Sequence, residues 1–239
     1  MKRPMKQEKP ILQVENLRKV YKMGEEQVVA LNKVNLNIYP GEICCIFGTS
    51  GSGKSTFLNM LAGMEKPTQG IVKILGKPIT KMTEQELSVF RQKYMGFIFQ
   101  SYNLMNGATA VENVAMPLMF KGVSKKQRER TARGLLKRVG LESRMDHYPG
   151  QMSGGQQQRV GIARAFASQP RIIFADEPTG NLDTKTTEEV MQMITGFSKE
   201  FNQTIVLVTH DPEMAKYATR IIHMVDGNIV DDKECYDEK

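Results

Sequence analysis

The stretch Ile43 to Thr56, ICCIFGTSGSGKST, carries the spacing G-x-x-x-x-G-K-[ST] in Gly48, Gly53, Lys54 and Ser55. An apolar run precedes it and a helical pattern, TFLNMLAG, follows. Strand, loop and helix form the context in which that spacing cradles phosphate. The loop Gly48, Thr49, Ser50, Gly51, Ser52, Gly53 can curl until its N–H groups point inward at an anion, and the next helix adds the positive end of its dipole. Lys54 supplies a mobile charge for β- and γ-phosphates. The Ser55 hydroxyl is a hard oxygen ligand for Mg²⁺, and Thr56 completes the set. An ordinary Gly/Ser turn is the plain alternative, and the flanking pattern disfavours it.

Hydrolysis needs an acidic element as well. RIIFADEPTGNLD, Arg171 to Asp183, supplies one. Asp176 ends a buried strand, where its carboxylate can hold Mg²⁺, and Glu177 is placed to orient the attacking water. An apolar run followed by Asp-Glu can simply open a turn before Pro178; beside a phosphate loop it gains meaning. Met152 to Arg159, MSGGQQQR, is a second small-residue helix start and so a second potential anion site. One nucleotide has no use for two such loops in one chain. A head-to-tail pair of chains does.

The series GTSGSGKST, Gln100 in FIFQS, MSGGQ, IIFADE, NLD and His210 in LVTHD resembles the ATP-binding-cassette ATPases of the transporter branch, from about Ile11 to Val230. The resemblance implies an α/β fold, a P-loop NTPase of ABC type, with a mainly parallel core sheet, an N-terminal antiparallel β portion and a helical insertion. It implies ATP and Mg²⁺ as ligands, with Tyr21 stacking on adenine; a half-buried strand tyrosine is the plain alternative there. Gln100 resembles the glutamine that reaches Mg²⁺ and water, so Ser55, Gln100 and Asp176 form the implied metal set. Ser153, Gly154, Gly155 and Gln156 resemble the signature loop that caps the nucleotide of a second copy. Asp183 resembles the aspartate that crosses the dimer, and His210 the switch histidine near the γ-phosphate. Lys54, Gln100, Glu177 and His210 are the implied catalytic residues. Met152 stands where Leu is commoner, a volume-conserving exchange.

Finer strings, GFIFQSYNL, SGGQQQR and DEPTGNLD, look most like a group containing MacB-type macrolide exporters, lipoprotein-release ATPases, the cell-division ATPase FtsE and bacitracin-type peptide-resistance exporters. That group implies a dimer driving a separate membrane permease, by export or by mechanical transmission. It places the protein at the cytoplasmic face of the membrane, peripheral through the permease. A non-transport cassette, in cell-division signalling or of DNA-repair type, is the alternative. Repair-type cassettes insert long heptad coiled coils, and the interval from Gln100 to Ser153 lacks sustained heptads.

These residues need an alternating scaffold to position them. Strands are predicted at 11–14, 34–38, 43–47, 71–75, 96–99, 172–175, 204–208, 221–224 and 229–230, and helices at 54–63, 83–93, 111–120, 125–139, 155–168, 184–201 and 213–217. The close early strands predict an antiparallel portion. The all-helical interval predicts an insertion at about 105–165 between core segments 11–100 and 165–230, all one ATPase domain over 11–230. Residues 1–10 are predicted as a flexible N-terminus and 231–239 as a frayed acidic tail.

Composition bounds the rest. The chain has 239 residues, 25% charged and 40% hydrophobic, which excludes disorder as its main state. No apolar run reaches the length of a membrane span and no secretory pattern opens the chain, so membrane work is expected through a partner. Cys44, Cys45 and Cys235 make an odd count, which argues against a disulfide framework and for a reducing compartment. The adjacent pair is predicted to behave as small buried hydrophobes. Met105, Met116 and Met119 either fill gaps between helices or form a contact surface for the permease at about 103–119. The net charge is +7, and the segment 121–138 alone carries eight basic residues against Glu129. A solvated helix face and attraction to anionic lipid both account for it; nucleic acid is not expected as a partner.

Overall fold

Strand alternation shows at once where the first sheet buries its face. In the segment closing at Ile38, Val34, Leu36 and Ile38 are buried while Lys33, Asn35 and Asn37 face solvent, the period-2 pattern of a sheet covered on one side. A computed structural model describes residues 9–235. In chain order the elements are β1 (Leu12–Met23), β2 (Glu26–Ile38), β3 (Ile43–Phe47), α1 (Lys54–Leu61), β4 (Gln69–Ile74), β5 (Lys77–Pro78), α2 (Glu84–Tyr94), β6 (Met95–Phe99), α3 (Ala110–Phe120), α4 (Lys125–Arg138), α5 (Gly154–Ala167), β7 (Ile172–Asp176), α6 (Thr184–Phe201), β8 (Thr204–Thr209), α7 (Pro212–Ala215), β9 (Arg220–Val225) and β10 (Asn228–Glu234). The chain divides into two compact units, residues 1–87 with 208–239 and residues 88–207, the divisions falling inside α2 and inside β8.

The first unit holds the antiparallel sheet β2-β1-β4-β5, as the close early strands predict. β1 is much longer than the predicted 11–14. Its register on β2 shifts between Val14 and Leu17 and twice more by Val20, and Asn16 has a left-handed φ of 49°. These bulges break the alternation that marks a strand in sequence. The same unit holds β3 paired in parallel with β9, and β9 antiparallel with β10. Cys44 and Cys45 are fully buried on β3, as expected.

β10 corrects the expected tail. Asp231 to Glu234 extend it, paired with Lys233 opposite Ile221 and Glu234 opposite Arg220. The Arg220 guanidinium donates to both carboxylate oxygens of Asp232 at 2.8 and 2.7 Å and reaches Glu42 at 3.4 Å. Asp232 stays in the strand because this bidentate clamp neutralises it, and Asp231 pairs with Lys233. Residues 236–239, and 1–8 of the expected N-terminus, lie outside the described residues.

The second unit pairs β6 with β7 in parallel, Phe99 opposite Asp176. β7 is buried from Ile172 to Ala175, the continuous apolar run of an interior parallel strand. Helices α3, α4 and α5 fill the interval between these strands. α3 starts with a full capping box, Thr109 to Glu112. Buried Asn113 accepts from the Met105 N–H at 2.8 Å and donates to the carbonyls of Met105 and Ala108, which pins the entering loop.

Candidate functional site

In the first unit the loop Gly48–Gly53 leaves buried β3 and enters α1. A Cβ on Gly48 would stand 2.3 Å from the Met224 carbonyl oxygen, and Gly53 combines a φ of 94° with 2.5 Å to the Ala30 carbonyl. Only glycine fits either position. Thr49, Ser50, Gly51 and Ser55 are exposed along the outer rim. Lys54 is buried, and its ammonium donates to the Thr49 carbonyl at 2.6 Å. α1 starts on Gly53 with no side-chain cap and no acidic residue in its first turn, and the buried Ser52 hydroxyl has no protein partner. A donor-rich loop of this kind fits a polyphosphate.

Tyr21 lies on β1 and its hydroxyl donates to Glu65 Oε2 at 2.8 Å. The Lys19 ammonium sits 4.9 Å from the centre of the ring and 2.6 Å from Glu65 Oε1. Burial, joined by the hydrogen bond and charge of Glu65, raises the Tyr21 phenol above its ordinary value against an opposing hydrogen bond from Thr56. His210 is exposed at the end of β8. The next N–H, of Asp211, donates to the Thr209 hydroxyl at 3.0 Å, and Asp211 caps α7, which fixes the backbone at His210. Tyr21, the loop 48–56 and His210 therefore share this unit.

The second unit gathers Gln100, Asp176, Glu177, the signature residues and Asp183. Gln100 follows β6, and a Cβ on Gly180 would meet its amide nitrogen at 2.6 Å. Its carbonyl accepts from Asn181 at 3.0 Å. Gln100 thus packs on the turn that follows Asp176 and Glu177. Glu177 has a left-handed φ of 41°, a costly conformation for a residue with a side chain and one that recurs at functional sites.

Ser153 caps α5 in a reciprocal box with Gln156, at 3.3 and 3.0 Å. Gly154 approaches the Tyr102 hydroxyl and Gly155 the Thr186 methyl, each closer than a Cβ would allow. Thr186 is in turn bonded to Asp183 through its N–H at 3.0 Å and its hydroxyl at 2.7 Å. Those bonds hold the Asp183 carboxyl below its ordinary value. The signature loop and Asp183 are therefore neighbours.

Two positioning residues escape the motif pattern. Arg164 on α5 donates to the Asn103 and Tyr102 carbonyls, the latter at 2.8 Å, and so holds the loop that follows Gln100. Gln158, fully buried on α5, donates to the Pro178 carbonyl. Both partners are backbone oxygens, which leave no trace in side-chain types. The glutamine run at 156–158 was the available signal, with nothing to single out its third member.

Known proteins bear on this arrangement. The ABC transporter family profile matches residues 31–180. The uncharacterized ABC transporter ATP-binding protein MJ1508 of Methanocaldococcus jannaschii is 48% identical over 221 residues, covering 92% of this chain and 98% of that protein. The macrolide export ATP-binding/permease protein MacB of Escherichia coli K12 is 44% identical over 221 residues, but the chain spans only 34% of it. Among solved structures, the dimeric post-hydrolysis state of the ATP-binding cassette MJ0796 bound to ADP and Pi superposes with a TM-score of 0.88 at 45% identity, covering 93% of this chain and 98% of that one. The P-loop NTPase cassette fold, with its antiparallel and mixed sheets, is thereby shown. The chain belongs to the ABC transporter family and is an ATP-binding cassette ATPase.

Proposed function

We infer that the chain works as a pair of copies, closing on two ATP molecules and driving a membrane permease. The observation that carries the permease reading is the stretch from Asn103 to Met119. Met105 is 56% exposed and Met119 45%, so they do not fill gaps between helices. Arg164 ties the start of the stretch to the Gln100 loop. A docking partner there would move with the residue expected to touch the nucleotide. Residues 105–165 are the inserted lever in this reading, and the remainder of 11–230 is the core.

The residue roles follow from chemistry. Tyr21 offers a ring to adenine, and the loop 48–56 with Lys54 binds phosphates. Ser55, Asp176 and Gln100 offer the oxygens that would hold Mg²⁺, which would supply positive charge to offset that of the phosphates. Glu177 orients water and accepts its proton, and His210 binds the γ-phosphate. Ser153, Gly154, Gly155, Gln156 and Asp183 of each copy close over the nucleotide of the other. The macrolide-export role of MacB and the dimeric MJ0796 cassettes support this reading. Cargo of the macrolide, antimicrobial-peptide or lipoprotein class, and mechanical transmission without cargo, both fit it.

Co-purification tests the permease. The tagged chain should draw one polytopic membrane protein from detergent-solubilised membranes, and that protein should change its ATPase rate. Met105→Asp should abolish the association while sparing ATP hydrolysis in solution. Full ATPase activity with no membrane protein recovered would leave the non-transport reading in its place.

A further inference from the structure

The basic segment 121–138 splits in two in the structure. At its far end the cations are neutralised: Arg133 pairs with Asp146 at 2.9 Å, Lys137 with Glu142 at 2.9 Å, and Arg138 with Glu200. At its near end they are not. Lys125 lies 3.9 Å from Glu129 of its own helix and within electrostatic reach of Glu112 on α3. Among the described residues Lys121, Lys126, Arg128 and Arg130 form no ion pair with a carboxylate. Lys121 donates to the Ser168 carbonyl at 2.8 Å and Arg128 to the Val123 carbonyl at 3.2 Å, bonds that leave the charge in place.

The end of α2 joins this corner. The Gln92 amide donates to the Phe120 carbonyl, and the Lys121 ammonium reaches the Lys93 carbonyl at 3.4 Å. Lys93 thus adds another cation beside Lys121, and burial together with that charge lowers the Lys121 ammonium below its ordinary value. The corner also holds two exposed apolar side chains in sequence, Met119 and Phe120, the latter 61% exposed. α4 begins here with Lys125 and Lys126, no acidic residue in its first turn and no side-chain cap from Ser124. Cations at the positive end of a helix repel its dipole. The placement of Lys125 and Lys126 opposes the stability of α4 and is relieved by an external polyanionic surface.

We propose that the corner formed by the ends of α2 and α3 and the start of α4 is a docking surface for anionic phospholipid headgroups. Lys93, Lys121, Lys126, Arg128 and Arg130 would meet phosphates while Phe120 enters the headgroup layer. Cations flanking an exposed apolar side chain have the chemistry of interfacial attachment. A nucleic-acid backbone matches the cations and leaves Phe120 without use. The corner is also continuous with the stretch to Met119 argued above to meet the permease, which sets it beside the bilayer.

Flotation of the full chain with vesicles tests this. Phosphatidylcholine vesicles with about 30% phosphatidylglycerol should bind at least about tenfold better than phosphatidylcholine alone, and the difference should vanish in about 0.5 M salt. Lys126→Glu with Arg130→Glu should cut that binding by more than about tenfold, and Phe120→Ser should weaken it at any salt. None of these residues belongs to the ATP machinery, so ATPase rates in solution stay unchanged and report separately on the cassette. Equal binding to both vesicle types, or unchanged binding by the variants, overturns the proposal. So does binding confined to RNA, or to vesicles that contain the permease.

Discussion

Gln158, buried in the signature helix, donates its side-chain amide to the carbonyl of Pro178, the residue after Glu177. One helix therefore carries the signature loop at its start and, a turn later, a prop under the turn that holds the proposed water-orienting carboxylate in a left-handed conformation. Gln158→Leu leaves the Pro178 carbonyl unpaired, which costs about 1–3 kcal/mol. The expected outcome is a lower melting temperature and a kcat that falls more than ATP affinity does. Equal kcat with equal stability would refute the prop.

Glu177→Gln removes the group proposed to accept the proton of water. Hydrolysis should slow by about 10²–10⁴-fold while ATP still binds, and the variant should persist as a dimer with ATP and Mg²⁺ in light scattering. Lys54→Ala should instead weaken nucleotide binding itself, read by titration with a fluorescent ATP analogue.

The Tyr21 hydroxyl is tied to Glu65, which also holds Lys19 against the ring. Glu65→Ala frees the ring to turn. A positioned aromatic stack is worth about 0.5–1.5 kcal/mol, so the KM for ATP should rise about two- to tenfold with kcat preserved.

Asp183 caps α6 through Thr186, and its carboxyl lies below the ordinary aspartate value of 3.8. A depressed folded-state pKa gives stability that is present above the ordinary value and is lost as pH falls through the depressed one. Asp183→Ala should therefore be less stable than the parent at pH 7, and the difference should shrink below about pH 4. Thermal melts without nucleotide check this.

Gly48→Ala would drive a methyl to within 2.3 Å of the Met224 carbonyl. Overpacking of this kind costs about 1–3 kcal/mol. A lowered melting temperature together with weakened ATP binding is expected, because the obstacle is backbone and cannot rotate away.

The sequence was most legible where chemistry and periodicity coincide. β3 with its loop and α1, and β7 with Asp176, stand within a residue or two of their predicted bounds because apolar runs and glycine spacing are local signals. β1 was foreshortened because its bulges interrupt alternation before Tyr21 is reached. β10 was hidden because its strand character rests on Arg220, eleven residues before Asp231. Glu65 stands 44 residues from Tyr21, and Gln158 acts on a carbonyl, so no motif could announce either. The exposure of Met105 and Met119 was undecided in sequence because methionine suits gap and surface alike.

The burial of β3 has a practical consequence. Its two thiols are shut away, with burial pushing Cys45 up to about 12 and Cys44 higher, so neither offers thiolate at neutral pH. Cys235, partly exposed just past β10, is the remaining one of the three cysteines. Toward maleimides and mild oxidants the protein should behave as though it had a single thiol. That gives a native attachment point for a spectroscopic label, leaving the strand that feeds the phosphate loop chemically inert.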